Sequence, residues 1–268
     1  MSMEINVYDL NGQPKEKIKL PKVFSEPIRE DLILRAFLVT QSKKRQPYGT
    51  DVLAGKRTSA HYHGKRRERW SMMNREMARM PRIHGKGVPA HLLWAARFVP
   101  QAVKGRRAHP PKVEKIWEQK INKKERKKAI RSAIAATANK ELVLKRGHKI
   151  EKIEKLPIVV EDKIQEIKKA KELVEFLKKI GLEKELERIK KKKVRAGKGK
   201  MRGRKYKKKI GPLIVITEDK GISKAVKNLP GINVCRVENL CAEYLAPGAM
   251  PGRLTIFTKS AIKKLSGV

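Results

Sequence analysis

Gly211-Pro212-Leu213-Ile214-Val215-Ile216-Thr217-Glu218-Asp219-Lys220-Gly221 opens on a turn, runs through four consecutive aliphatic residues and closes on a second turn. Four apolar residues without alternation predict a strand buried on both faces, which is the habit of a parallel sheet covered by helices. The pattern then repeats. A short helical stretch (Ile222, Ala225, Val226, Leu229) is broken by Pro230-Gly231, and a second apolar run spans Ile232 to Val237. A helical stretch through Tyr244 leads to the turn Ala246-Pro247-Gly248, a third run from Leu254 to Thr258 and a last short helix ending near Leu265. Strands alternating with short helices, joined by right-handed crossovers, predict an α/β layer fold with a mainly parallel sheet.

Upstream, Asn122 followed by Glu125 has the spacing of a capping box, and Ala129, Ile130, Ala133, Ile134 and Thr137 then mark one helix face. Ile164, Ile167, Ala170, Val174, Leu177 and Ile180 predict a second helix, stopped at Gly181. Residues 27–40 predict a third, and Ile5–Tyr8, Leu142–Leu144 and Ile158–Val160 are short strand candidates. The expected globular body is therefore residues 1–40 joined with 112–187 and 212–268. Residues 41–111 hold six glycines and five of the six histidines with no sustained apolar period, so they are expected to form a long extended loop. By itself such a segment buries too little apolar surface to order its backbone.

Charge shows what that loop is for. The 268 residues carry 67 Lys+Arg against 27 Asp+Glu, a net of +40, which penalises a compact chain unless a polyanion neutralises it. Residues 41–111 hold 17 bases and three acids (Asp51, Glu68, Glu76), and residues 188–211 hold 14 bases and no acid. The excess is thus concentrated in two extensions. No apolar run reaches the ~18–20 residues of a membrane span, and Met1-Ser2-Met3-Glu4 lacks a signal pattern, so a cytoplasmic protein with no membrane partner is expected. Cys235 and Cys241 fit two buried thiols in a reducing compartment.

Enzyme motifs fail on spacing. Gly55-Lys56-Arg57-Thr58 resembles the end of a phosphate loop, but Gly49 lies one place too far upstream and Arg57 stands where a hydroxyl should hold magnesium. Gly197 to Gly203 is one residue too long for a dinucleotide fingerprint. His61 and His63 flank Tyr62 without an acid or cysteine cluster to complete a metal set. The sequence therefore predicts no catalytic residue, cofactor, metal or small-molecule substrate.

Nucleic-acid signals are stronger, because cations neutralise phosphates while rings and guanidiniums stack on unpaired bases. The candidate RNA-binding residues of the loop are Lys43, Lys44, Arg45, Tyr48, Lys56, Arg57, His61, Tyr62, His63, Lys65, Arg66, Arg67, Trp70, Lys86, Trp94, Arg97, Lys104, Arg106 and Arg107. Arg195, Lys198, Lys200, Arg202 and Arg204 extend the set into the second tract. The first tract prefers Arg (11 to 6) and the second Lys (10 to 4), so close planar contacts are expected of one and looser neutralisation of the other. Within the loop, four of the eight methionines fall in Trp70 to Arg82, where thioethers suit an irregular RNA or partner surface. A free RNA chaperone and a nucleotide-dependent enzyme are further readings, and a flat nucleotide titration would remove the second.

Several motifs in one order resemble the archaeal and eukaryotic branch of the L-four family of large-subunit ribosomal proteins. They are Leu53 to Ala60, Met77-Ala78-Arg79-Met80-Pro81-Arg82, Arg131 to Thr137, Arg195 to Lys200, Gly211-Pro212-Leu213 and Leu245 to Ala249. The resemblance runs from about residue 3 to residue 265. It implies a three-layer α/β/α body bound to large-subunit rRNA, beside neighbouring ribosomal proteins in the cytoplasmic large subunit. It also implies that the loop helps to line the peptide exit tunnel, with Arg69, Arg75, Met77, Arg79, Met80 and Arg82 at its tip near the nascent peptide.

Overall fold

The computed structural model describes residues 4–266. The signal-free start read at Met1–Met3 lies outside them. The chain forms two compact units, Met1–Lys44 with Glu118–Val268, and Arg45–Trp117.

The first unit is a three-layer α/β body. Its sheet is built from β1 (Glu4–Tyr8), β2 (Pro14–Lys19), β3 (Ile158–Val160), β6 (Leu213–Ile216), β7 (Asn233–Arg236) and β8 (Thr255–Thr258), in the order β2-β1-β3-β8-β6-β7. All pairs are parallel except β1 with β2. Alternation divides the side chains between two cores. Ile158, Val160, Ile214, Ile216 and Ile256 point to one face, packed under α4 (Ala170–Lys179), α5 (Glu183–Lys190) and α6 (Ile222–Lys227). Val159, Leu213, Val215 and Phe257 point to the other, where Ile33 of α1 (Glu30–Lys43), Ala133 and Ile134 of α2 (Lys123–Ala138) and Ile262 of α8 (Lys259–Leu265) cover them. Burial of both faces is why these strands read as unbroken apolar runs. Among the described residues no helix is long and apolar enough to cross a membrane.

Several sequence expectations change. Leu142–Leu144 is not a strand but part of α3 (Lys140–Lys145), because the Asn139 side chain accepts from the amides of Glu141 (2.9 Å) and Leu142 (3.5 Å) and starts a helix there. The helix expected from Ile164 begins only at Ala170; Asp162–Glu166 is a 3-10 turn. The Asp162 carboxylate accepts from the Ser260 amide at 3.0 Å, and Gln165 accepts from the Glu218 amide at 3.1 Å, so that turn is tied to strand ends instead. The capping box at Asn122 does not close, and Glu125 pairs with Arg35 of α1 at 3.2 Å. The edge strand β2 went unread because its Lys-Glu-Lys pattern carries one apolar residue, Ile18. The helical stretch expected through Tyr244 is short, a turn at Val237–Asn239 followed by α7 (Ala242–Leu245). Both cysteines are free thiols, Cys241 only half-buried; burial, then Cys241, pushes the Cys235 thiol up to about 11.

Two arginine-centred knots hold the body. Arg253, 2% exposed, donates to the carbonyls of Gly211 (2.9 Å) and Tyr244 (2.9 Å) and to the Asn233 side chain (2.6 Å), gathering the starts of β6, β7 and β8. Glu185, fully buried, accepts from Arg188 (2.6 and 2.8 Å), from His148 Nδ1 (2.7 Å) and from the Lys149 amide (3.0 Å), which joins α5 to the turn after α3. Burial lowers the His148 imidazole below its ordinary 6.5, so it stays neutral. Burial alone would raise Glu185, but the hydrogen bonds from Arg188 and His148 outweigh it and the carboxyl ends up lowered.

Arg188→Met removes the bidentate partner of a buried carboxylate and should lower stability by about 3 kcal/mol. The expected readout is a lower urea midpoint with unchanged slope. The wild-type body should also lose stability as pH falls below about 6.5, because the unfolded chain then binds a proton that folded His148 refuses. His148→Gln should flatten that limb of the pH profile.

Candidate nucleic-acid interface

Arg45–Trp117 has one 3-10 turn (Ala90–Leu92) and otherwise irregular backbone, yet it is folded. Three extended stretches lie side by side through the bridges His61↔Arg82 and Arg82↔Ala96. Ile83 and Arg97 donate to the carbonyls of Ala95 (3.0 Å) and Pro81 (3.0 Å), and Met72 donates to His63 (2.9 Å). The turn from Trp70 to Met80 is thereby drawn against residues 61–63 and 82–97.

A small interior results, which the absence of an apolar period had not predicted. Met72 is 1% exposed, and Ser71 and His84 are buried with it. Trp70 stacks on His84 (5.5 Å between centroids, 14° between planes) and lies 5.6 Å from Trp94. The two tryptophans expected to stack on bases are thus half-buried against protein rings. Of the methionines, Met72 serves this interior, while Met77 and Met80 are half-buried.

Arginines divide into two groups. Arg82 turns inward, donating to the carbonyls of Trp94 (2.8 Å) and Ala78 (3.1 Å), and Arg97 binds those of Ala96 and Val103 (both 2.9 Å). Arg75 lies over the Trp94 ring at 4.2 Å and Arg69 over Trp70 at 5.3 Å, with their outer faces exposed. Lys56, Arg66, Arg67, Arg79, Lys86, Lys104 and Arg107 are exposed, as are His61 and Tyr62; His63 and Arg106 are half-buried. Two acids are answered locally, Asp51 by Arg57 and Glu68 by Lys65 at 3.1 Å. The Leu53 amide, then Arg57, holds the Asp51 carboxyl low, so it remains an anion.

A second aromatic group forms where the segment closes. Tyr48 stacks on Trp117 (5.5 Å, 17°), and Arg45 sits 3.7 Å above the Trp117 ring. Trp117 escaped sequence notice because it stands outside the loop's expected bounds, and only the fold brings it to Tyr48. Cation over stacked rings is a surface on which a base can continue the stack. Lys43 and Lys44 belong to the end of α1 in the other unit, where Lys44 is engaged by Glu243.

The second tract is not a loose tail. β4 (Lys193–Val194) pairs antiparallel with β5 (Tyr206–Lys207), and Arg195 reaches the Lys205 carbonyl through its amide (2.8 Å) and the Arg204 carbonyl through Nε (3.1 Å). This hairpin presents Lys198, Lys200, Arg202 and Arg204 at its exposed end, while Arg195 is half-buried. Its signal in the sequence was slight, Val194 and Tyr206 alone among lysines.

Comparison with known proteins fits this surface. A profile described as "Ribosomal protein L4/L1 family" matches residues 18–268. "Large ribosomal subunit protein uL4" of Methanosphaera stadtmanae is 49% identical over 263 residues, covering 98% of this chain and 96% of that one. The proteins of that name from Nanoarchaeum equitans and Methanocaldococcus jannaschii are each 50% identical, over 265 and 264 residues, and cover 98% of this chain with 97% and 98% of theirs.

Arg82→Ala should unlatch the 61–97 fold, since it leaves the carbonyls of Trp94 and Ala78 without their donor at about 1–2 kcal/mol. Tryptophan emission should shift to the red and proteolysis should open within 61–97, with the urea midpoint of the body unchanged.

Proposed function

The chain belongs to the ribosomal protein L4/L1 family, and from that premise we propose that it is a structural constituent of the cytoplasmic large ribosomal subunit, held there by rRNA. It is a structural protein and not an enzyme. The observation that carries the rRNA reading is the charge: 17 bases against three acids across residues 41–111, most of those bases exposed. A surface of that density binds phosphate through counterion release, a sequence-independent attraction that suits a folded RNA.

Different parts of the surface then do different work. Exposed cations of the loop (Lys65, Arg66, Arg67, Arg107) and of the hairpin (Lys198, Lys200, Arg202, Arg204) neutralise phosphates. Tyr48 with Trp117 and Arg45 offers a stacking platform for an unpaired base. Inward arginines such as Arg82 and Arg97 hold the backbone and add to the field without direct contact. The stretch 69–82 lines the peptide exit tunnel, where the exposed outer faces of Arg75 and Arg79 meet the nascent chain. Neighbouring ribosomal proteins meet the α/β body.

Binding of the full chain to an rRNA fragment should show this directly. With about 8–10 phosphates neutralised, log K should fall against log salt with a slope near −7 to −9. A slope shallower than about −3 would mean that something other than charge supplies the affinity.

Lys65, Arg66 and Arg67 replaced together by Glu should lower the protein's occupancy in purified large subunits. Arg75→Ala with Arg79→Ala should leave occupancy near normal while altering peptide passage or the action of tunnel-binding inhibitors. Loss of incorporation in the second variant would sink the placement of that stretch in the tunnel.

A further inference from the structure

His61, His63 and His84 converge within Arg45–Trp117 although His84 lies far along the chain from the other two. Their ring centroids are 4.3, 4.3 and 4.7 Å apart, and one nitrogen from each falls within 4.8 Å of the others. His61 Nδ1 donates to the Ser59 carbonyl at 2.9 Å, which leaves its Nε2 with the lone pair. That Nε2 faces His63 Nε2 at 2.5 Å. His84 is 8% exposed, and its buried Nε2 has no hydrogen-bond partner among the described residues.

A buried nitrogen left unsatisfied is costly, and three imidazoles brought together repel one another once protonated. Packing alone gives no reason for that cluster. We propose that His61, His63 and His84 form a binding site for a borderline divalent transition cation, with zinc as the occupant. The chemistry fits on four counts. Imidazole nitrogen suits zinc, and tetrahedral zinc accepts three protein ligands with a fourth position left to water. The Ser59 carbonyl fixes the tautomer of His61 in the way outer-shell acceptors do at metal sites. Trp70 stacked on His84, with Trp94 5.8 Å away, supplies an apolar wall. The buried His84 Nε2, which no described residue satisfies, is a nitrogen that an ion would engage.

Zinc–nitrogen bonds of ~2.1 Å at tetrahedral angles set ligand atoms about 3.4 Å apart, so the His61–His63 pair opens slightly while His84 closes in. On loading, the proton that His63 holds at Nε2 passes to its Nδ1, which frees Nε2 for the ion. The ion would tie residues 61–63 to His84 alongside the His61↔Arg82 bridge, ordering a segment that has little apolar core. It would also withdraw these nitrogens from RNA, where the sequence had assigned His61 and His63.

The test is zinc titration of the full-length, tag-free chain against a chromophoric chelator, with bound metal counted by mass spectrometry and tryptophan emission followed in parallel. One equivalent is expected, with an emission change complete at the same point and binding weakened as pH falls through the imidazole range. His84→Gln should weaken binding by about 100-fold, since even outer partners of a ligand are worth 10–100-fold. His61 is exposed, so His61→Gln leaves packing intact and carries the test where His84→Gln disturbs the fold. His109→Gln, in the same segment but outside the cluster, should change nothing. A chain that takes up no zinc at micromolar free metal, or one whose equivalent survives both His61→Gln and His84→Gln, overturns the site.

Discussion

A chain with forty more cations than anions has too few carboxylates to pair its arginines, and much of this structure follows from that shortage. The guanidinium group offers five donors in a rigid fork, so it can be satisfied by backbone carbonyls when no acid is at hand. Arg253 binds three carbonyls and an amide oxygen, Arg146 binds the carbonyls of Pro247 and Met250, and Arg82 and Arg97 each bind two more. These bonds organise turns without cancelling charge. Burial lowers Arg146 to about 10 and Arg253 to about 9, above neutral pH in both cases, so each stays a cation. A polyanion brought to this surface would meet a field to which the structural arginines also contribute.

The two units resolve the same constraint differently. In the body, buried aliphatic layers on both faces of the sheet supply the cohesion, and the buried pair of Arg188 with Glu185 adds a tie between α5 and the turn after α3. In Arg45–Trp117 the backbone itself carries strain. Arg67, Trp70, Asn74, Trp94, Phe98 and Lys104 all adopt positive φ, whereas Ala249 alone among described non-glycine residues does so in the body. Such conformations cost of order 1 kcal/mol or more each and persist only where surroundings dictate them. A short interior around Met72 and His84 dictates some of them, and an RNA surface and a bound ion would dictate the rest.

Legibility in the sequence follows the range of the determining contact. β3 and β6 could be read because both-face burial writes itself as consecutive Ile, Val and Leu, β8 because Ile256-Phe257 stands between β-favouring threonines, and α2 because its apolar spacing is local. Leu142–Leu144 could not, since three apolar residues fit either element and the decision rested on the Asn139 cap. The turn at Asp162 depended on Ser260, almost a hundred residues away. The interface divides likewise. Charge density and the exposed cations were plain from composition, but that Trp70 would stack on His84, or that His84 would join His61, was fixed by chain reversals with no periodic signal. Five histidines crowded into one segment were the only trace.

β8 stands between β3 and β6, yet it comes last of the six strands in chain order. During synthesis, β1, β2 and β3 can assemble as one half-sheet and β6 with β7 as another, but nothing joins them until residues 255–258 emerge. Until then two half-sheets display open edges of Ile158-Val159-Val160 and Leu213 to Ile216, wholly apolar and unpaired. Prematurely terminated chains thus keep the features that chaperones and proteases recognise. Only a chain translated through its final strand can close the sticky seam.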